Sequence, residues 1–470
     1  MAEVAIVGGG VGGLALSIRL AAAGHAVTVL ERNAEPGGKL AVLRRDGFTF
    51  DIGPSLLTLP DVFDELFRAG GSRLRDEVAL VRLDPQFTYS WRDGTRLTIT
   101  DAGCDAPGYA GFIAHGRRIW EVSERTFFAG PMTNPWSLAR RMRSPRDLAD
   151  IDPLRTLRSS ARRFFDDPHL VQWASRYATY SGSDPSRAPA TLGCIAAVEQ
   201  SHGCWYTMGG LGALREAIVR VAERGGVRLR CDAEVVAVRS SSTAVTGVEL
   251  GDGTVMPASI VVADVDAAHL YRDLLADRRA LAKVQRAELS TSGFVVVAGV
   301  RGTTPGITHH NVWFSDWGDD EFAQIGAGRL ADDPTIYGCV SSHTDASQAP
   351  AGYENWFLLV NTPAGAEVDA DGYRDLVLRR LAEHGVDLRD RLVFTDTITP
   401  AEFERRFRSP GGAIYGTASN GRRAAFARPA NRGARRGLYL VGGSSHPGGG
   451  LPLVTMGARI VAEMIESDLG

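Results

Sequence analysis

The 470-residue chain is 44% hydrophobic, 23% charged and 8% aromatic, too long for one ordinary domain and long enough for two substantial cores. A formal charge of -3 and a pI near 6.4 leave no electrostatic footprint for nucleic acid, and that partner class is set aside. Five cysteines without a CxxC pair are too sparse for a disulfide framework or a zinc site, so no metal is expected and the chain reads as reduced and cytoplasmic. No basic-then-apolar leader and no run of about 18 apolar residues is found, which disfavours secretion and membrane spanning. Of the 52 basic residues only Lys39 and Lys283 are lysines, so arginine is the default cation and an arginine-rich stretch carries less meaning than usual.

The first elements are the most informative. Glu3–Val7 (EVAIV) is an apolar run of strand length, GGGVGG follows over 8–13, and from Leu14 apolar residues recur at Ile18 and Ala21 with helical spacing. A second strand, Ala26–Leu30 (AVTVL), ends on Glu31. Strand, glycine turn, helix, strand and acid stand in the order of a dinucleotide fingerprint, with Gly8, Gly10 and Gly13 at the GxGxxG positions. Gly8 permits the tight turn, Gly10 lets backbone approach a pyrophosphate, and Gly13 lets the helix pack closely on the sheet. The helix N-terminus then faces the phosphates with unpaired amides and a positive dipole end. Glu31 is placed to accept from a ribose diol. Gly37-Gly38-Lys39 suits a second backbone approach to phosphate or ribityl groups, with Lys39 as a point charge beside them.

The middle of the chain carries the aromatic residues. All eight tryptophans (91, 120, 136, 173, 205, 313, 317 and 356) lie between 91 and 356. Two clusters, Trp173 with Tyr177 and Tyr180, and Trp205 with Tyr206, are read as lining a substrate pocket, although such residues also build cores. From Trp136 to Phe165 eight arginines stand against three aspartates, with Trp136, Leu138, Phe164 and Phe165 interleaved. A stretch of this kind can lie in an anionic membrane interface. Further on, Leu211, Leu214, Ile218 and Val221 share one helix face before Gly225-Gly226; a strand pair, VRLR and EVVAV, and a hairpin turn at Asp252-Gly253 follow. Near the end a strand (GLYLV) runs into GGSSHPGGG over 442–450, and Leu451-Pro452 opens a helix, with the proline in its first turn. This makes a second anion-stabilising helix end.

Four strings resemble the bacterial carotenoid desaturases of the phytoene desaturase type: GGK with the DGFTFDIGPS segment, RYATYSGSDPSRAPAT, HGCWYTMGGLGAL and HPGGGLP. The closest-looking branch is the carotenoid 3,4-desaturases, and the similarity covers both ends and the middle. It implies an α/β fold: a Rossmann-like FAD-binding domain of the amine oxidase and phytoene desaturase type with a discontinuous α+β substrate domain. The first would comprise residues 1–70, 205–275 and 433–470, and the second, which also docks on the membrane, 71–204 and 276–432. FAD would be held non-covalently by Gly8, Gly10, Val11, Gly12, Gly13, Glu31, Arg32, Gly37, Gly38, Lys39, Gly53, Pro54, Ser55, Val235, Gly442, Gly443, Gly450, Leu451 and Pro452. Val235 is placed against the adenine through its backbone, as in similar flavoproteins.

The implied reaction introduces C=C bonds into an apolar polyene. A C–H bond beside an isolated polyene is too weakly acidic for a side-chain base to ionise first. Hydride loss to flavin N5 therefore leads, and proton loss follows; the enzyme's work is orientation in an apolar tunnel. No strong base is required; His446, Asp184 and Glu199 are the candidates. Oxygen or a quinone takes the electrons, an anionic membrane surface supplies the substrate, and the protein is expected to be peripherally membrane-associated. The same architecture serves amine oxidases, protoporphyrinogen oxidases and carotenoid oxygenases. The run GFVVVAGV over 293–300 lacks the lysine that amine oxidases of this fold carry near N5. Escort proteins for prenylated small GTPases share the fold without flavin, and the intact Glu31, GGK and HPGGG features count against them.

Overall fold

The computed structural model describes residues 1–132, 135–316, 318–421 and 424–470; Trp317 lies outside them. A five-stranded parallel sheet is assembled from far-apart segments in the order Leu438–Leu440, Ile260–Ala263, Glu3–Val7, Ala26–Leu30 and Arg228–Arg230. Its central strand is buried on both faces, and alternation sorts its side chains. Val4 and Ile6 join the core formed with helices Val11–Ala22, Leu211–Arg224 and Leu451–Leu469, while Ala5 and Val7 face the antiparallel strands Val235–Ser240 and Val245–Leu250. The expected pairing of VRLR with EVVAV is corrected: Arg228–Arg230 extends the parallel sheet beside Ala26–Leu30, and Val235–Ser240 pairs with Val245–Leu250 in a separate sheet. Helix Leu211–Arg224 begins at a glycine that offers no side-chain cap. Asp51, at the end of the distant strand Phe48–Asp51, accepts from Leu211 N at 2.7 Å and Gly212 N at 3.2 Å instead.

A second, seven-stranded sheet is centred on Ser292–Arg301, which pairs antiparallel with both Tyr353–Thr362 and Leu392–Ile398. Its even-numbered residues from Phe294 to Val300 pack on helix Ala370–Glu383, and Val295 and Val297 pack against Phe48, Phe50 and Ile52. Burial on two faces is why this strand reads as an unbroken apolar run. At the other edge, Phe87–Ser90 runs parallel to His310–Trp313 and meets a helical layer gathered around the fully buried Trp173.

The arginine-rich stretch folds as three short helices, Pro135–Ala139, Pro145–Asp150 and Leu157–Ala161. Phe165 turns into the core, and Arg141 is spent on the carbonyls of Thr126, Gly130 and Pro131. Trp136 and Leu148 stand 73% and 51% exposed. No helix among the described residues is long and apolar enough to cross a membrane. Lys283 is exposed on the short helix Arg278–Val284.

Candidate cofactor and substrate site

The parallel sheet's strand ends converge on one carboxylate. Strand Ile260–Ala263 runs directly into Asp264, whose amide donates to Val7 O at 2.8 Å and whose Oδ2 accepts from Gly13 N at 2.7 Å. A Cβ on Gly10 would stand 2.6 Å from Oδ2, and on Gly12 or Gly442 it would stand 2.9 Å or 2.5 Å from Oδ1. These glycines are therefore fixed by Asp264 as well as by any phosphate. Withdrawal from water, with the charge of Glu31 adding to it, pushes the Asp264 carboxyl well above the usual range. Sequence reasoning passed over this residue. The one signal was an acid placed directly at the end of the apolar run SIVVA.

Glu31 is buried beside this turn. Its Oε2 accepts from Gly9 N at 2.9 Å, and its Oε1 accepts from Asn33 N at 2.8 Å and Asn33 Nδ2 at 2.6 Å. Arg32 donates to the carbonyls of Arg405 and Arg406. The second glycine loop is laid on the first, with Gly37 N donating to Gly9 O at 2.6 Å. Lys39 does not stand as a free point charge: its Nζ donates to Ile414 O at 2.5 Å, and burial lowers its pKa to about 8. Gly53 has no room for a side chain, because a Cβ would fall 1.8 Å from Lys39 O. Ser55 Oγ bonds Tyr337 OH at 2.6 Å.

One continuous cavity of about 1340 Å³ runs along these residues. Of the expected cofactor residues, all but Gly13 line it, including Val235 and the group Gly442, Gly443, Gly450, Leu451 and Pro452. Phe87, Trp91, Val171, Phe314 and Leu359 also line it, as do Arg158 and the exposed Asp319, which pair with each other at its solvent-facing mouth. Small-ligand pockets span about 300–1,000 Å³, so this one has room for a cofactor and a second molecule.

The substrate-lining expectation is corrected at four of its five residues. Tyr180 lines the cavity, but Trp173, Tyr177 and Tyr206 do not and lie in the aromatic core. Trp205 lies beneath the Arg82 guanidinium and donates to His202 O. The large rings fill the layer behind the wall, and the wall itself comes from strands and helices remote in sequence.

None of the three catalytic candidates reaches the cavity wall. His446 is 2% exposed, packs edge-on to Phe127 at 4.7 Å, and is held neutral by burial, which lowers its pKa to about 4. Asp184 closes a turn by accepting from Ser186 N and Oγ. Glu199 accepts from Tyr177 OH at 2.8 Å and Tyr180 OH at 2.6 Å, and burial raises its pKa. In front of that trio, on the wall, lies Arg176, which the sequence reading did not single out. Behind Tyr337, the side chains of His309, His310 and Cys339 come within 4.8 Å of one another. The antiparallel register brings Cys339 opposite His310, a proximity that cysteine spacing could not disclose. Burial keeps His309 neutral, with its pKa lowered to about 3, and His310 Nδ1 meets Tyr337 OH at 2.8 Å.

Comparison with known proteins gives a consistent result. The sequence matches the family described as flavin containing amine oxidoreductase over residues 11–464. It is 34% identical to a 4,4'-diapolycopene oxygenase of Methylomonas, over 99% of this chain and 98% of that protein. It is 31% identical to a 4,4'-diaponeurosporene oxygenase of Staphylococcus aureus strain Mu50, with the same coverage. Among solved structures, an oxidoreductase from Methanosarcina mazei superposes with a TM-score of 0.68 at 15% identity, over 98% of this chain and 100% of that one.

Two predictions follow from the geometry. Asp264→Ala leaves the Gly13 amide without its acceptor and opens a void among the strand ends, so it destabilises the fold by about 2–4 kcal/mol, seen as a lower melting temperature. Glu321, in helix Gly318–Gly326 by the mouth, accepts from Thr335 at 2.7 Å through Oε2 while Oε1 is buried without a partner. Burial raises its pKa from 4.5 to about 7. A raised acid contributes stability that is fully present below the unfolded value and lost as pH climbs through the folded one. Glu321→Gln should therefore melt like the wild type near pH 4.5 and be about 3 kcal/mol more stable at pH 8.

Proposed function

The chain belongs to the flavin containing amine oxidoreductase family, and on that premise we propose that it uses non-covalently held FAD to oxidise a carotenoid-like polyene drawn from a membrane. The continuity of the cavity carries this reading: bare backbone at Gly8, Gly10, Gly12, Gly37, Gly38 and Gly443 forms one end, and apolar side chains form the other. The first end fits the cofactor. It offers a helix N-terminus for a pyrophosphate, Glu31 for a ribose, and a second helix start at Leu451 beside a glycine loop.

When bound, FAD supplies a two-electron acceptor, which oxygen or a quinone then reoxidises. The chain's own part is to orient the polyene and exclude water. Phe87, Trp91, Phe314 and Leu359 present flat or branched apolar surfaces to a rod-shaped substrate. With His446, Asp184 and Glu199 off the wall, no side chain is assigned the role of a strong base. Desaturation, which removes a hydride and a proton from neighbouring carbons, is the first reading. Oxygenation is the second, favoured by the names of the two curated relatives. Access from a membrane is supported by exposed Trp136 and Leu148 in the arginine-rich stretch, which continues to Arg158 and Arg162 on the cavity wall.

Anaerobic mixing of flavin-loaded protein with liposomes carrying phytoene, neurosporene or lycopene in turn should bleach the oxidised-flavin band with at least one of them. Product mass after air is admitted then separates loss of two hydrogens from gain of oxygen. Bound flavin that no polyene bleaches overturns the substrate reading. In a vesicle cosedimentation assay, the protein should prefer anionic over neutral lipid and lose binding with added salt. The double variant Trp136→Ser, Leu148→Ser should weaken binding about tenfold or more.

A further inference from the structure

The wall of the apolar arm carries one feature that a plain hydrocarbon does not need. Arg176 opens the 3-10 turn Arg176–Ser181 after helix Pro168–Ser175, and its guanidinium lies among four aromatic rings on the cavity wall. Its central carbon stands 5.3 Å from the ring centres of Phe87 and Tyr180, 5.7 Å from Tyr89 and 5.9 Å from Tyr337. Rings around a guanidinium stabilise its charge through their faces and leave its N–H groups free for other partners.

Those N–H groups have almost none. Among the described residues Arg176 makes no ion pair; its one side-chain hydrogen bond is to Tyr180 OH at 3.5 Å, at the distance limit. Glu199, whose charge reaches it, is spent on the hydroxyls of Tyr177 and Tyr180. Tyr337 OH is engaged by Ser55 and His310. Other arginines of this wall are matched: Arg158 by Asp319, Arg406 by Glu402, Arg408 by Glu234, and Arg92 by Asp316, Asp333 and Glu383. Arg162 is exposed at the mouth.

A hydrocarbon sliding past Arg176 strips water from these donors and returns nothing. An oxygen atom at the end of the chain replaces that water, and a carboxylate meets the planar fork with two parallel bonds. Resting on the polyene reading above, we propose that Arg176 is the anchor for an oxygen-bearing terminus, a carboxylate or an aldehyde. The preferred ligand of the apolar arm is then a polyene with a polar end.

The test uses flavin-loaded protein and two probes of equal length: 4,4'-diaponeurosporene, and the same chain with one terminal methyl replaced by a carboxylate. Affinity is read from quenching of tryptophan fluorescence, so turnover is not needed. The wild type should bind the carboxylate probe about tenfold or more tighter. That ratio should fall to near one in Arg176→Gln and be partly kept in Arg176→Lys. Because each variant is judged by the ratio of two probes on one preparation, a general loss of folded protein cancels. A wild type that favours the hydrocarbon, or a ratio unchanged in both variants, overturns the anchor while leaving the polyene reading in place. Failure of the wild type to bind either probe overturns that reading and the anchor with it.

Discussion

The cofactor end of this protein depends on a carboxylate held where water does not reach it well. Asp264 joins the end of one parallel strand to the glycine turn after another, and Gly442 closes on it from the C-terminal loop. Residues from three distant parts of the chain thus meet around a single side chain. The arrangement tolerates a buried acid because main-chain amides point at it, the same dipoles that make a helix N-terminus attractive to phosphate. It also means that the floor of the cradle is shaped by the fold itself, before any ligand contributes.

The substrate side is organised by a different constraint. Its long strand Ser292–Arg301 is buried on both faces, one against helix Ala370–Glu383 and one against Phe48–Asp51, which forms a hairpin with Val42–Arg45 in the early, glycine-rich part of the chain. The hairpin therefore ties the two halves together: its aromatic rings sit in the second core, and its terminal carboxylate caps a helix of the first. A passage between the two sheets follows from this, with polar backbone on one side and apolar side chains on the other. Lys39, bonded to Ile414 O, fastens the same boundary from the cavity wall.

What the sequence disclosed follows from locality. Strand, glycine turn, helix and acid succeed one another within some thirty residues, and the helix Leu211–Arg224 and the glycine loop before Leu451 are equally local, so each could be read from spacing. Asp264 was hidden because nothing near it in sequence shows that two glycine loops converge there. The aromatic clusters misled for a physical reason: a tryptophan inside a core and one on a pocket wall have the same composition signature, and Trp173 and Tyr206 proved to be core. His446 sits in a glycine loop beside the cavity yet turns its ring toward Phe127. Side-chain direction of that kind is set by packing that spacing does not record. Arg176 was obscured by the abundance of arginine, since a residue type used 50 times gives no contrast.

The same bias has a practical side. One of the two lysines lines the cavity with its Nζ bonded to Ile414 O, and the other stands in solvent on the helix Arg278–Val284. On the outer surface amine-directed chemistry therefore meets one lysine side chain, Lys283, besides the α-amino group. A dye, a tether or a solid support attached through it would sit at one known point on every molecule, with no engineered handle.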